Sequence, residues 1–187
     1  IIFTLQSPET SLGFLDRFLA CCEAYNIPVL ILFNKIDLLN FEEVELVEEL
    51  QTMYENLGYQ TLQVSSEDKL NLDQLQNIIK DKTSVFFGHS GAGKSTLVNA
   101  LQPDLNLKTN IISEMHNKGK HTTTFAQMHF WHFGGAVIDT PGVREFAMID
   151  VEKEEIQHYF PEIFGKGRDC KFHNCKHINE PKCAVLE

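Results

Sequence analysis

No stretch of the 187 residues approaches the roughly 18–20 unbroken apolar residues of a membrane-crossing helix, which excludes a helical span. No charged segment followed by a short apolar run reads as a secretory leader. The chain opens Ile1-Ile2-Phe3-Thr4-Leu5 without a Met and reads as a strand entered partway, as expected of a piece of a longer protein. Cysteine is scarce and odd in number: Cys21, Cys22, Cys170, Cys175 and Cys183. That count argues against a disulfide framework, and the three near the C-terminus suit metal binding in a reducing compartment. Internal repeats and low-complexity tracts are missing. Positive charge is in deficit: the net charge is −10, and residues 1–83 carry 14 acidic against 5 basic side chains. Such a surface does not suit a phosphate backbone. Residues 84–187, with 12 acidic and 11 basic side chains, leave that possibility open.

The apolar content of 43% is ordinary for a packed core, and the length suits one α/β domain with a small appendage. Leu12, Leu15, Phe18, Leu19 and Cys22 recur at helical spacing over residues 11–25. Pro28–Phe33 is a short apolar run, expected as a buried parallel strand. An acidic helix follows from Phe41 to Leu57, with Val44, Val47, Leu50 and Tyr54 on one face. Thr61–Ser65 reads as a strand, Leu72 to Ile79 as a helix and Ser84–Phe87 as a strand. This alternation implies a mostly parallel sheet flanked by helices. Residues 103–124 are polar and read as a long mobile loop, and loops of that length are usually functional. Phe125–Phe133 is expected as a strand, turning at Gly134-Gly135 into a strand over Ala136–Ile138. A short helix is expected over Glu152–Phe160, and the composition shifts at about Gly165. The predicted organisation is a domain over 1–164 and a small, truncated unit over 165–187.

Four strand ends carry chemistry. Gly88-His89-Ser90-Gly91-Ala92-Gly93-Lys94-Ser95 matches the phosphate-binding pattern G-x-x-x-x-G-K-[ST] between a strand and a helix. Its backbone N–H groups would wrap phosphate oxygens, Lys94 would reach the β- and γ-phosphates, and the Ser95 hydroxyl would ligate Mg²⁺. Thr96 completes the set of nucleotide contacts there. Asp139-Thr140-Pro141-Gly142 follows a strand; Asp139 could hold the Mg²⁺ second shell, and the Gly142 N–H could meet the γ-phosphate. Asn34-Lys35-Ile36-Asp37 matches the N-K-x-D pattern of GTPases, which would read guanine. Asp37 would accept from N1–H and the 2-amino group, a donor pair adenine lacks. Lys35 would lie over the base, and Asn34 would brace the loops. Ser65-Ser66-Glu67 stands where such proteins carry S-A-K, so the Ser66 N–H is placed at guanine O6 by position alone.

The order of these motifs is N-K-I-D, S-S-E, P-loop, D-T-P-G, whereas a Ras-like chain starts at the P-loop. Cutting between the third and fourth motifs and rejoining the ends gives this order, with each motif still at a strand's C-terminal end. The expected fold class is therefore a circularly permuted P-loop GTPase domain. Near the new C-terminus, Cys170, Cys175, His177 and Cys183 suit tetrahedral Zn²⁺, one per chain, with His173 a spare ligand. The position after D-x-x-G, a water-orienting Gln in Ras-like enzymes, is Val143, which cannot hydrogen-bond. His121 is the nearest polar candidate to hold the attacking water. Thr123 is the first choice for the switch Mg²⁺ ligand, with Thr122 the runner-up.

With Gly119–Thr124, Asp139–Phe146 and the Cys/His cluster added, these motifs resemble the RsgA/YjeQ family of circularly permuted, ribosome small-subunit-dependent GTPases. The resemblance spans nearly the whole chain and also points to His121. Family members normally begin with an OB-fold domain, which this chain lacks. The resemblance implies a bacterial, cytoplasmic, monomeric enzyme that hydrolyses GTP to GDP when stimulated by the 30S subunit, contacts its rRNA and acts late in 30S maturation. Glu67 departs from the family pattern, and the acidic first half is a poor RNA surface. Basic candidates are Lys108, Lys118 and Lys120 in the loop and Lys166, Arg168, Lys171 and Lys176 at the metal site. Competing functions are another P-loop nucleotide-dependent enzyme, which nucleotide selectivity would reveal, and a zinc-dependent nucleic-acid-binding module, which multiple-turnover hydrolysis would reject.

Overall fold

In the computed structural model, residues 1–107, 127–139, 152 and 154–187 are described. Six strands and five α-helices appear among them: β1 (Ile2–Phe3), α1 (Leu12–Ala24), β2 (Leu30–Asn34), α2 (Phe41–Asn56), β3 (Gln60–Val64), α3 (Leu72–Ile79), β4 (Thr83–Val85), α4 (Lys94–Leu101), β5 (Gln127–Phe130), β6 (Ala136–Asp139) and α5 (Pro161–Gly167). β1, β2 and β3 pair in parallel in that order; β6 lies between β4, its parallel neighbour, and antiparallel β5. The two triplets are joined where the Ile2 N–H donates to the Phe87 carbonyl at 2.7 Å, just beyond β4.

The alternation of strand side chains divides the core into two layers. Ile2, Leu32, Leu62, Val64 and Phe86 face one way and pack with Leu72 and Leu75 of α3 and Leu97, Val98 and Leu101 of α4. Phe3, Ile31, Phe33 and Phe87 face the other way, against Leu15, Phe18 and Leu19 of α1 and Val47, Leu50 and Tyr54 of α2. A sheet whose strands are apolar on both faces needs cover on both, which the helices supply. Helix ends are set locally. Ser11 caps α1 by accepting from the Phe14 N–H at 3.3 Å. At α2, Asn40 and Glu43 form a reciprocal capping box, each side chain accepting from the other's backbone N–H. Cys21 and Cys22 are buried on α1, and burial raises both thiol pKa values.

Several boundaries differ from expectation. Leu12 is 42% exposed although it shares the apolar spacing of α1: it is the first residue of the helix and takes no part in the core layer that Leu15, Phe18 and Leu19 join. The start of the expected long loop is ordered: Pro103–Leu105 is a 3-10 turn, and Leu107 is tied back to Asn99 of α4 by two hydrogen bonds of 2.8 and 2.9 Å. The helix expected over Glu152–Phe160 is a 3-10 turn over Ile156–Tyr159, after which α5 starts with Pro161 in its first turn. Proline needs no amide partner there and carries a preset φ. α5 thus runs across the point where the composition changes. Residues 108–126, with His121, Thr122, Thr123, Lys108, Lys118 and Lys120, lie outside the described residues, as do 140–151, with Gly142 and Val143.

Candidate functional site

β4 leads through buried Phe86 and Phe87 into the glycine loop, and α4 begins at Lys94. Two glycines are required by the packing. A Cβ on Gly88 would come within 2.8 Å of the Ile2 carbonyl oxygen, a main-chain atom that cannot move aside cheaply. Gly93 caps α4 in the left-handed region at φ +98, and a Cβ there would collide with the Asn34 amide. Ala92 is fully buried beneath the loop. Ser90 and Gly91 are exposed, while His89 and the first turn of α4 (Lys94, Ser95 and Thr96) are half-buried. The Lys94 ammonium donates to the carbonyls of Gly88 and His89, both at 2.7 Å, so the lysine curls back along its own loop.

The N-K-x-D segment leaves β2 beside this loop. Asn34, 3% exposed, donates from Nδ2 to the Ala92 carbonyl at 2.8 Å. One side chain therefore joins the two motifs, which lie 58 residues apart in the chain. Lys35 turns the chain with φ 66, and a 3-10 turn over Ile36–Leu38 follows. Asp37 is exposed, and its Oδ1 accepts from the Ser65 hydroxyl at 2.5 Å. Ser65 is buried at the end of β3, and its Oγ also accepts from the Asp68 N–H at 3.0 Å. Ser66 is half-buried beside it, its hydroxyl oxygen enclosed without a hydrogen bond, and Glu67 is exposed. Asp139 ends β6, whose Ile138 pairs with Val85 of β4, so the start of D-T-P-G lies next to the strand feeding the P-loop.

The second constellation is Cys170, Cys175, His177 and Cys183, whose ligand atoms all lie within 4.8 Å of one another. Cys170 Sγ is 3.9 Å from Cys183 Sγ and 3.6 Å from His177 Nδ1, which is 3.2 Å from Cys183 Sγ. A tetrahedral zinc with ordinary bond lengths needs about 3.8 Å between sulfurs and about 3.5 Å from sulfur to nitrogen. The donor set and its spacing therefore fit that ion. Burial and the neighbouring thiols push Cys175 up to about 11, whereas hydrogen bonds from His177 and backbone amides outweigh burial and bring Cys183 down to about 7. His173, the spare candidate, is exposed and stands outside the cluster. Sequence reasoning missed Glu180. Its carboxylate accepts from the N–H groups of Lys176, Ile178 and Asn179 at 2.9, 2.9 and 3.1 Å, and these donors hold its pKa down to about 2. Glu180 thus folds the turn that presents His177.

A glycine loop between a strand and a helix, hydrogen-bonded to an N-K-x-D loop that precedes it in the chain, defines a P-loop GTPase domain of circularly permuted topology. Solved relatives agree. The crystal structure of YjeQ from Thermotoga maritima matches with a TM-score of 0.81 and 35% identity, over 99% of this chain and 61% of that one. YloQ, described as a circularly permuted GTPase, matches with a TM-score of 0.75 and 35% identity, over 100% of this chain and 58% of the other. The chain belongs to the RsgA GTPase family, whose family model matches residues 1–149. Curated relatives include the small ribosomal subunit biogenesis GTPase RsgA of Flavobacterium psychrophilum, 50% identical over all of this chain and 57% of that protein. Another is RsgA 2 of Bacteroides thetaiotaomicron, 47% identical over all of this chain and 60% of that protein. The chain thus spans less than two thirds of the length of these relatives.

Proposed function

We propose that the chain binds and hydrolyses GTP, as the nucleotide-handling part of a factor acting on the small ribosomal subunit late in its maturation. The observation that carries this reading is the pair of hydrogen bonds from Asn34 to Ala92 and from Ser65 to Asp37. Together they fix the phosphate loop and the two base loops side by side. The relatives named small ribosomal subunit biogenesis GTPases support the cellular role.

In this reading the guanine edge meets Asp37, whose carboxylate is held in place by Ser65, and the Ser66 N–H serves guanine O6. The backbone from Gly88 to Gly93 wraps the phosphates at the start of α4, where the helix dipole favours negative charge. Lys94 transfers donors from the loop carbonyls to β- and γ-phosphate oxygens. Ser95, with Thr123 from the switch loop, would hold Mg²⁺, with Asp139 in its second shell, and Ser95 stands in the first turn of α4 as that role requires. When bound, the ion neutralises charge developing on the phosphate oxygens. The Gly142 N–H meets the γ-phosphate. His121 holds the attacking water with an imidazole nitrogen, a task Val143 cannot perform. Contact with the ribosome raises the population of the loop state in which His121 is in place, which accounts for stimulation.

The unit from residue 165 onward is held by Zn²⁺ and presents Lys166, Arg168, Lys171 and Lys176 on its exposed surface, which suits contact with rRNA. The protein acts as a monomer in the bacterial cytoplasm; no helix among the described residues is long and apolar enough to cross a membrane. The test is GTP turnover with and without 30S subunits, for the wild type and for His121→Ala. The wild type should turn over slowly alone and faster with 30S. His121→Ala should keep GTP binding and lose most of the stimulation. Full stimulation of the variant would remove His121 from catalysis, and absence of any GTP hydrolysis by the wild type would reject the reading.

A further inference from the structure

The segment between β1 and α1 belongs to no recognised motif, yet it touches both halves of the nucleotide site. The Lys35 ammonium donates to the Ser7 carbonyl, and Gln6 Nε2 donates to the Leu38 carbonyl at 2.9 Å, so the segment grips both ends of the N-K-I-D turn. On the other side, a Cβ on Gly91 would lie 3.4 Å from the Pro8 ring, and the Phe14 ring stacks on His89 with centroids 4.2 Å apart. Both of these partners are in the phosphate loop. The segment is itself fixed from below. The Thr4 hydroxyl donates to the Pro8 carbonyl at 2.5 Å, the Thr10 N–H donates to the Thr4 carbonyl at 2.8 Å, and both threonines are buried.

We propose that Gln6–Pro8, together with Phe14, forms a positioning bracket that ties the base loop to the phosphate loop and so sets how long a guanine nucleotide stays bound. The inference rests on the nucleotide-site reading above. Lys35 is one flexible side chain with three donors, and anchoring its ammonium on Ser7 fixes where its aliphatic stem lies. That stem runs beside Gly93, its Cε 4.0 Å from where a Cβ there would sit. Release of a nucleotide held by both loops requires them to part or shift, and the bracket resists that movement from the outside. Its effect belongs to the dissociation rate, because binding-site variants act mainly there.

The experiment is displacement of fluorescently labelled GDP from the full chain by excess GDP, for the wild type, Pro8→Ala, Lys35→Ala and the double variant, with association rates measured alongside. Pro8→Ala should speed dissociation about tenfold while changing association less than about twofold. The double variant should fall short of the product of the two single effects, because the bracket works partly through Lys35. Gln6→Ala removes the hydrogen bonds from a half-buried side chain to the Leu38 carbonyl and, at 3.4 Å, to Glu43 Oε2, and should speed release about threefold, so it tests the bracket even if Pro8→Ala misfolds. Release within twofold of wild type in folded Pro8→Ala and Gln6→Ala, or effects that multiply in the double variant, would overturn the bracket. Failure of the wild type to bind labelled GDP would instead reject the underlying nucleotide-site reading.

Discussion

The region that carries the nucleotide motifs and the C-terminal Cys/His segment are built on different physics. The first encloses two apolar layers around a sheet, with Tyr54, Phe3, Phe33, Leu15, Leu75 and Leu97 among its fully buried side chains. In the second, from residue 165 on, the buried side chains are Cys175 and Cys183, both candidate metal ligands. Phe164, Phe172, Ile178 and Leu186 of the C-terminal region remain 40% or more exposed. So short a segment gains little from apolar burial to offset its ordering entropy, and in the proposed reading a metal held by Cys170, Cys175, His177 and Cys183 supplies the difference. On that reading, folding around the sheet is a collective property of many side chains, whereas in the C-terminal segment it is concentrated in four candidate ligands and the Glu180 turn.

The largest expected effect follows from that contrast. Removing zinc with a chelator, or replacing Cys175 with Ser, should unfold the C-terminal unit while leaving GDP binding in place. A structural zinc in a small module contributes on the order of 10 kcal/mol to its folding. Metal analysis should give one zinc per chain, falling in Cys175→Ser, and amide exchange should lose protection only in the C-terminal segment. A zinc-free wild type with an unchanged melting curve would break the comparison. A smaller effect is expected from the other side. Leu75→Ala empties a fully buried position between α3 and the sheet and should cost about 2–5 kcal/mol of the domain's stability in chemical denaturation. It should leave zinc content unaltered. Equal loss of both would mean that the two units fold as one.

What could be read from the sequence divides along similar lines. Local signals suffice for α2, where Val47, Leu50 and Tyr54 of the expected face are buried and Val44 is half-buried, and for α3, where Leu72, Leu75 and Ile79 are buried and Ile78 is half-buried. The P-loop and N-K-I-D segments announce themselves because particular side chains are needed at fixed offsets, and the structure places them at neighbouring strand ends. The bracket gave no such signal. Ser7 acts through its carbonyl and Pro8 through a ring edge, and neither role leaves a residue pattern. The stack of Phe14 on His89 joins positions 75 residues apart, and Phe14 read in sequence is an ordinary helix residue. α5 lies where the composition shifts to Cys, His and Lys and shows no apolar period, and Pro161 is its one usable mark of a helix start. Glu180 carries no sequence signal, because a carboxylate that folds a turn looks like any exposed acid.

The phosphate loop and the two base loops joined through Asn34 and Ser65 are proposed to form a guanine site, and Asp37 tests that most directly. An amide at this position can no longer accept from guanine N1–H and the 2-amino group together, but it can donate to the 2-oxo group of xanthine. Titration of the wild type and Asp37→Asn with labelled GDP and labelled XDP gives four affinities. The wild type should prefer GDP, and Asp37→Asn should weaken GDP by tenfold or more, on the order of the 1–3 kcal/mol that an unpaired polar group costs, while gaining XDP. Unchanged GDP affinity in Asp37→Asn, with no gain for XDP, would take Asp37 out of the base site and contradict the account.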